Sequence, residues 1–167
     1  MAKSVFANRQ RGRQVITLAV GQGVSSATRT TLGNMVFPVI AGVTYHIRII
    51  GGISSQALTT GASIGFVLTG GASGLINGFL TIGISALASS SALTIPITTI
   101  NTLNTQAGSF LTSTGVSAVN TPHNVESSLI FVCSSSGQFE MQFASEVANS
   151  VASLERFTTI IVDQLNL

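Results

Sequence analysis

The chain has 167 residues, which is enough for a single domain with a sizeable hydrophobic core. Hydrophobic residues make up 45% of it, so its composition excludes the polar, charge-rich class of disordered chains. Charged residues make up only 7%, against about 25% in an average soluble protein. The net charge is +2, which is too small by itself to indicate a nucleic-acid partner.

The few charged residues are unevenly distributed. The N-terminal segment holds four of the seven basic residues, Lys3, Arg9, Arg11 and Arg13. The stretch 49–125 has no charged residue and is rich in Ser, Thr, Gly and Asn. A neighbouring protein can cover such a surface at low cost, because little charge must be desolvated. We therefore predict that this stretch supplies much of an oligomer interface.

The first segment of the chain differs in composition from the rest. Residues 1–13 are polar and basic, without the period of a strand or helix, and are predicted to form a basic extended arm. Residues 14–167 are predicted to form a single β-sandwich domain. The arm could grip phosphates or the carboxylates of a neighbouring protein, and a solvated tail is the third alternative. Its predicted partner-binding residues are Lys3, Val5, Phe6, Arg9, Arg11 and Arg13.

Short runs rich in Val, Ile, Thr and Phe follow the arm, separated by Gly, Ser and Asn. This pattern is typical of a many-stranded antiparallel protein, and no segment has a long helical period, although 146–154 could hold one turn. The predicted strands are Gln14–Val20, Thr31–Pro38, Thr44–Ile50, Ser63–Leu68, Leu75–Ile84, Ala92–Thr98, Ser128–Cys133, Gln138–Glu146 and Thr158–Leu165.

The stretch 74–97 is long, uncharged and partly apolar, which raises the question of a membrane helix. Serines, glycines and Pro96 interrupt it, whereas a spanning helix needs about 20 predominantly apolar residues. We instead predict two strands joined by a turn at the serine run 89–91, and no membrane partner. The glycine-rich segment 70–74 is predicted to form a hairpin turn.

Alternation of apolar and polar residues identifies the core. Phe139, Met141 and Phe143 alternate with polar residues, and Tyr45, Ile47 and Ile49 alternate with His46 and Arg48. A period of two places one set of side chains inside and the other on a surface. The buried set is predicted to comprise the first three of these residues together with Ile160 and Val162.

The sequence offers little for catalysis. A triad could be drawn from His46, Asp163 and a serine, but no G-x-S-x-G elbow selects the serine. The acidic residues are spread over separate strands, so no metal site is expected, and no P-loop or dinucleotide motif is present. Cys133 is the single cysteine and is expected to be a buried thiol. We predict no enzyme activity and no cofactor.

The second half of the chain resembles a recurrent class of phage virion proteins whose domains are similar to the trimeric jelly rolls of tumour-necrosis-factor and complement globular-head type. The resemblance spans roughly Asn34 to Leu165. Phe157-Thr158 stands where that class usually has a Gly-Ser pair before the last strand. The matching motifs are Gly42-Val43-Thr44-Tyr45, Gly137-x-Phe139-x-Met141-Gln142-Phe143-Ala144, Val151-Ala152 and Ile160-Ile161-Val162-Asp163-Gln164-Leu165.

The resemblance implies a homotrimeric antiparallel β-sandwich, jelly-roll-like, located in a virion. The expected role is a capsid cement or decoration protein, a minor capsid protein that stabilises a phage head. The expected partners are copies of the chain, the major capsid protein and other virion proteins. The alternative is a tail, baseplate or fibre component that binds a glycan. Because Tyr45 is the only tyrosine and tryptophan is absent, aromatic platforms for a sugar are scarce.

Overall fold

A computed structural model describes residues 8–10, 12–83, 92–103, 109–113, 115–116 and 118–165 of the chain. For 8–10, 83, 92–103 and 109–111 only the backbone is described. All regular structure in these residues is β-strand, and every strand pairing is antiparallel. The predicted all-β, antiparallel fold is therefore confirmed.

Thirteen strands lie in the described part of the chain. Their bounds are β1 Asn8–Gln10, β2 Arg13–Thr17, β3 Gln22–Val24, β4 Thr30–Val39, β5 Thr44–Ser55, β6 Ala62–Thr69, β7 Ser73–Gly83, β8 Ala92–Leu103, β9 Ser109–Thr112, β10 His123–Ser135, β11 Gly137–Ser145, β12 Ala152–Leu154 and β13 Thr159–Gln164.

The strands form two sheets that pack face to face. The large sheet has nine strands in the order β1-β2-β13-β5-β10-β7-β8, with β12 paired to β5 and β3 paired to β12. The small sheet has four strands in the order β4-β11-β6-β9. The chain changes sheet at every connection from β3 to β7 and again at every connection from β8 to β12, which is connectivity of the jelly-roll type.

An aromatic cluster joins the two sheets. Phe139 of β11 lies with its ring centroid 5.0 Å from that of Phe37 and 5.5 Å from that of Phe66, both in the small sheet. Its centroid is 5.4 Å from that of Phe131 in the large sheet, in an edge-on arrangement. Tyr45 stacks on Phe131, and its hydroxyl oxygen accepts a hydrogen bond from the Ile40 N–H. Such pairs add to the stabilisation that aromatic burial already provides.

The predicted core residues are buried. Phe139, Met141 and Phe143 on β11 and Ile160 and Val162 on β13 are each at most 3% exposed. The alternating set on β5, which begins at Tyr45, is buried as well. The alternation of apolar and polar residues predicted these buried positions because a shift of one residue in strand register would move every one of these side chains to the opposite face of its sheet.

All nine predicted strands are present, with small differences at their ends. Four strands were not predicted, namely β1, β3, β9 and β12, and each has only three or four residues. Residues 146–154 form a turn and then β12 rather than a helical turn. Segments this short have too few positions for a period of two to be recognised.

The glycine-rich segment after β6 forms a tight turn that is not a hairpin. Gly70 and Gly71 have φ of 62° and 85°, and Ala72 N–H donates to the Thr69 carbonyl at 3.2 Å. This geometry matches a turn with two left-handed residues. The strands on either side belong to different sheets, so the turn carries the chain from one sheet to the other. The two strands predicted for 74–97 are β7 and β8, which pair with each other, and the serine run 89–91 predicted to join them lies outside the described residues.

The structure changes the predicted boundary of the N-terminal arm. Asn8–Gln10 and Arg13–Val15 pair as an antiparallel hairpin at the edge of the large sheet. Gly12 closes its turn with φ of 73° and accepts a hydrogen bond from Gln164 N–H. An extended arm is therefore limited to the residues before Asn8. Residues 8–14 are all polar or glycine, so they show no alternation of apolar and polar residues from which these strands could be recognised.

Candidate assembly surface

The outer face of the large sheet carries a cluster of exposed hydrophobic side chains. They lie on three adjacent strands, β5, β10 and β7, and each is between 38% and 52% exposed. We call this cluster the apolar face, and its members are Ile50, Leu75, Phe79, Ile130 and Val132. A monomeric protein rarely exposes a contiguous apolar patch of this kind.

Strand register brings Leu75, Phe79, Ile130 and Val132 together, whereas Ile50 lies opposite Glu126 at the margin of the apolar face. Val132 lies directly opposite Leu75, and Ile130 lies opposite Asn77, in the β10–β7 pair. Directly opposed residues on one face of an antiparallel pair are in contact distance. The face contains a shallow depression of about 540 Å³, lined by Leu75, Ile130 and Val132 and by polar groups of Asn77 and Ser128.

The outer face of the small sheet has the opposite character. Glu140 of β11 accepts hydrogen bonds from the hydroxyls of Thr31 and Thr69, each at 2.5 Å, and so joins three strands. Among the described side chains of β4, β6 and β11, no large hydrophobic residue is exposed. The two outer faces therefore differ: the described outer face of the small sheet is polar, as is usual for a solvent-exposed face, and that of the large sheet exposes hydrophobic side chains.

An ionic cluster borders the apolar face on the β13 side. Arg13 donates through Nε to Asp163 Oδ1 at 2.5 Å and through a second nitrogen to Oδ2 at 3.1 Å. Arg48 donates to the same Oδ2 at 3.1 Å. The hydrogen bond from Arg13 lowers the pKa of Asp163, with help from Arg48, while partial burial opposes the shift. These groups fix β2, β13 and β5 side by side.

His46 lies between the ionic cluster and the apolar face. Its Nε2 is 2.8 Å from the Ser128 hydroxyl, a hydrogen bond across the β5–β10 pair. His123 begins β10 and is buried, with Nε2 3.2 Å from the Ala118 carbonyl oxygen. The two histidines thus have separate structural partners.

The residues predicted for the arm are only partly placed. Lys3, Val5, Phe6 and Arg11 lie outside the described residues, and Arg9 is described by its backbone alone, in β1. Arg13 opens β2 and pairs with a carboxylate of its own chain. It therefore acts within the domain rather than in an extended arm. No other described residue forms an ion pair with Asp163 besides Arg13 and Arg48.

The described residues contain no group of three or more potential metal ligands. No helix in the described part of the chain is long and apolar enough to cross a membrane. Cys133 is buried in β10, as expected, and burial raises the pKa of its thiol, which disfavours the reactive thiolate. Tyr45 is buried in the core, so it offers no platform for a sugar.

Sequence reasoning did not identify the apolar face, although one signal was present. The run Leu129-Ile130-Phe131-Val132-Cys133 is continuously apolar. Such a run is typical of a strand that is buried on both faces, whereas a strand with one wet face alternates. Leu129, Phe131 and Cys133 fill the core, and the two residues between them lie on the apolar face.

Comparison with known proteins gives few matches. No protein-family model and no curated protein matches the chain. The chain is similar to the VP2 subviral particle of infectious bursal disease virus, with 12% identity, a TM-score of 0.26, and coverage of 92% of this chain and 40% of that one. It is also similar to the structure of the Gx strain of that virus, with 10% identity, a TM-score of 0.23, and coverage of 95% of this chain and 39% of that one. The chain thus spans about two fifths of these proteins' length, and at such TM-scores the likeness carries no inference.

Proposed function

We propose that this protein is a non-enzymatic structural component that works by assembling with copies of itself through the apolar face. The observation that carries the proposal is the contrast between the two outer faces of the sandwich. Five exposed large hydrophobic side chains lie on one face, and a hydrogen-bonded carboxylate with threonines lies on the other. An apolar centre with few charges is the composition of an oligomer interface core.

The proposed oligomer is a homotrimer, and its proposed place is a phage virion, as a capsid cement or decoration protein. Support for this comes from the sequence resemblance and from the unusually low charge of the chain. In this role the major capsid protein is the second partner, and neither nucleic acid nor a membrane is bound. A tail, baseplate or fibre component is the second candidate, which the same resemblance favours.

The N-terminal arm is proposed to reach over a neighbouring subunit and hold it. The charged residues Lys3, Arg9 and Arg11 precede the domain, and Val5 and Phe6 give the same segment two apolar side chains. Each exposed ion pair contributes only about 0.2–1 kcal/mol. Several weak contacts on one chain reinforce one another through effective concentration, so a short arm can strengthen an interface considerably.

A single charge on the apolar face tests the proposal. Val132→Asp places a carboxylate at a position that is 45% exposed in the single chain and covered in the oligomer. Burying an unpaired charge is strongly unfavourable, so we expect the oligomer to dissociate while circular dichroism remains that of a folded β-protein. Light scattering gives the molar mass of each variant at micromolar concentration.

Val119→Asp is the matched control, because Val119 is 43% exposed and lies in a loop away from the apolar face. It introduces the same residue, from the same starting residue, at nearly the same exposure. We expect this variant to keep the mass of the unmodified protein. Equal molar masses for the two variants would show that the protein does not assemble through the apolar face.

A further inference from the structure

One corner of the sandwich carries the most exposed hydrophobic side chains in the described part of the chain. Val20, after β2, is 66% exposed, and Phe157, before β13, is 64% exposed. Backbone hydrogen bonds tie the two loops together, from Phe157 N–H to the Leu18 carbonyl at 2.8 Å and from Leu18 N–H to the Thr158 carbonyl at 2.9 Å. We call Val20, Arg156 and Phe157 the corner knob.

Phe157 holds its ring outward at a conformational cost. Its φ is 68°, in the left-handed region that glycine adopts freely and that costs other residues about 1–2 kcal/mol. The exposed ring gains little burial within the chain to offset this strain. Strain of this kind in a bulky, exposed residue indicates a role in which the side chain itself is needed.

The corner knob also carries a positive charge. The Arg156 guanidinium lies 4.7 Å from the centre of the Phe157 ring, and it makes no ion pair with any described residue. The apolar face has the complementary feature. Glu126 lies exposed on β10 opposite Ile50, outside the depression and two residues along the strand from Ser128, which lines it.

Cyclic symmetry requires two different patches that fit each other. In a closed ring of three copies every interface is heterologous, so the apolar face of one copy must meet another region of the next. Two other regions expose large hydrophobic residues. Ile40 and Leu165 lie near the Arg13–Asp163 pair, whose charges are already matched. Leu58, Val119 and Val147 lie in loops without a lysine or arginine of their own, and Arg29 lines a pocket with Glu146, the residue before Val147.

We infer that the corner knob of one copy seats in the depression of the apolar face of the next copy. Phe157 and Val20 fill the space beside Leu75, Ile130 and Val132, and Arg156 faces Glu126. Along a strand, two residues span about 7 Å, so Glu126 is within reach of an arginine anchored beside the depression. This inference rests on the proposed self-assembly and names the second half of the interface.

Cross-linking between separately labelled copies tests the contact. Phe157→Cys and Ile130→Cys are made as single variants, unfolded, mixed and refolded together so that mixed oligomers form, and then treated with a short bis-maleimide. We expect a covalent dimer from the mixture and little from either variant alone, because the contact joins unlike positions. The double variant should give a ladder that ends at the size of the closed ring.

The outcomes separate this inference from the proposed function. If the unmodified protein is a monomer, self-assembly itself fails. If it is an oligomer and the mixture gives no dimer, the corner knob does not occupy the depression, although assembly stands. Efficient dimerisation of Ile130→Cys alone would indicate a two-fold contact between like faces and would overturn the inference in the same way.

Substitutions in the corner knob and at Glu126 test the contribution of these residues to self-association without unfolding the chain. Phe157→Gly removes the ring at a φ where glycine is unstrained, and we expect self-association to weaken at least tenfold with folding intact. Arg156→Glu should weaken association severalfold, and Glu126→Arg in the same chain should restore it. If Phe157→Gly leaves the oligomer unchanged but prevents incorporation into particles, the knob binds a different protein and the inference is wrong.

Discussion

Asp163 is the residue on which the charged border of the apolar face depends. Two arginines from different strands donate to its carboxylate, which holds β2, β13 and β5 in register. Its side chain retains only 18% exposure, so water replaces these partners poorly. A carboxylate that accepts hydrogen bonds from charged donors contributes more than a neutral pair does.

We predict that Asp163→Asn lowers the free energy of unfolding by about 0.4–2 kcal/mol at pH 7, because it removes two ion pairs with partly exposed arginines, each worth about 0.2–1 kcal/mol. The folded-state pKa of Asp163 lies below its unfolded value of about 3.9. The stabilisation is therefore complete above that pH and is lost as the pH falls through the folded pKa. Urea denaturation of both proteins at pH 7 and pH 3 measures the difference, and an equal gap at both pH values would contradict this account.

The β7–β10 pair shapes the depression, and two glycines of β7, Gly74 and Gly78, permit the close approach of its strands. Gly78 has φ of 148°, and a Cβ at this position would lie 2.1 Å from the Ser128 carbonyl oxygen on β10. Since the obstacle is backbone, a side chain here must separate the strands. Gly42 has φ of 80° but nothing within 4 Å of its Cβ position.

We predict that Gly78→Ala destabilises the fold by about 1–3 kcal/mol more than Gly42→Ala does. Both substitutions add strain at positive φ, and only the first adds a clash with a neighbouring strand. Thermal or urea unfolding gives the two values. Similar losses would mean that β7 and β10 can separate at Gly78 without cost.

The strands could be predicted from the sequence, whereas the apolar face could not, because the strands show a local pattern and the apolar face depends on strand order. On β11, Phe139, Met141 and Phe143 alternate with polar residues because only one face is buried within the chain, and alternation is visible without knowledge of the partner strands. The apolar face depends on Val132 meeting Leu75 and on Ile50 lying one strand away. That grouping arises from strand order, which local patterns do not contain.

The corner knob was beyond sequence reasoning for a different reason. Val20 and Phe157 are far apart in the chain, and each reads as an ordinary apolar residue beside a strand. Their exposure follows from the loop geometry and from the left-handed φ of Phe157. The sequence has Phe157-Thr158 before the last strand, and nothing in these two residues marks Phe157 as a position of left-handed φ.

At the scale of the whole molecule, the outer face of the large sheet exposes apolar side chains, whereas the outer face of the small sheet is polar. The hairpin of β1 and β2 places the start of the described chain at the edge of the large sheet. There β2 separates β1 from β13, which carries Asp163 of the ionic cluster.

We predict that deletion of residues 2–7 leaves the domain folded and weakens the oligomer, because Lys3, Val5 and Phe6 are lost while β1 is retained. Circular dichroism checks folding, and the temperature at which the oligomer dissociates checks the arm. Lys3→Ala alone separates the contribution of charge, and a steep salt dependence would favour phosphate as the arm's ligand. An unchanged dissociation temperature in the deletion variant would contradict the clamp.

The central claim is that the apolar face is buried in an assembly of copies of this chain. Sedimentation velocity of the unmodified full chain, from about 1 to 100 µM, tests it most directly. The account predicts a single species with three times the mass of the chain, stable on dilution. A single species with the mass of one chain across the whole range would contradict it.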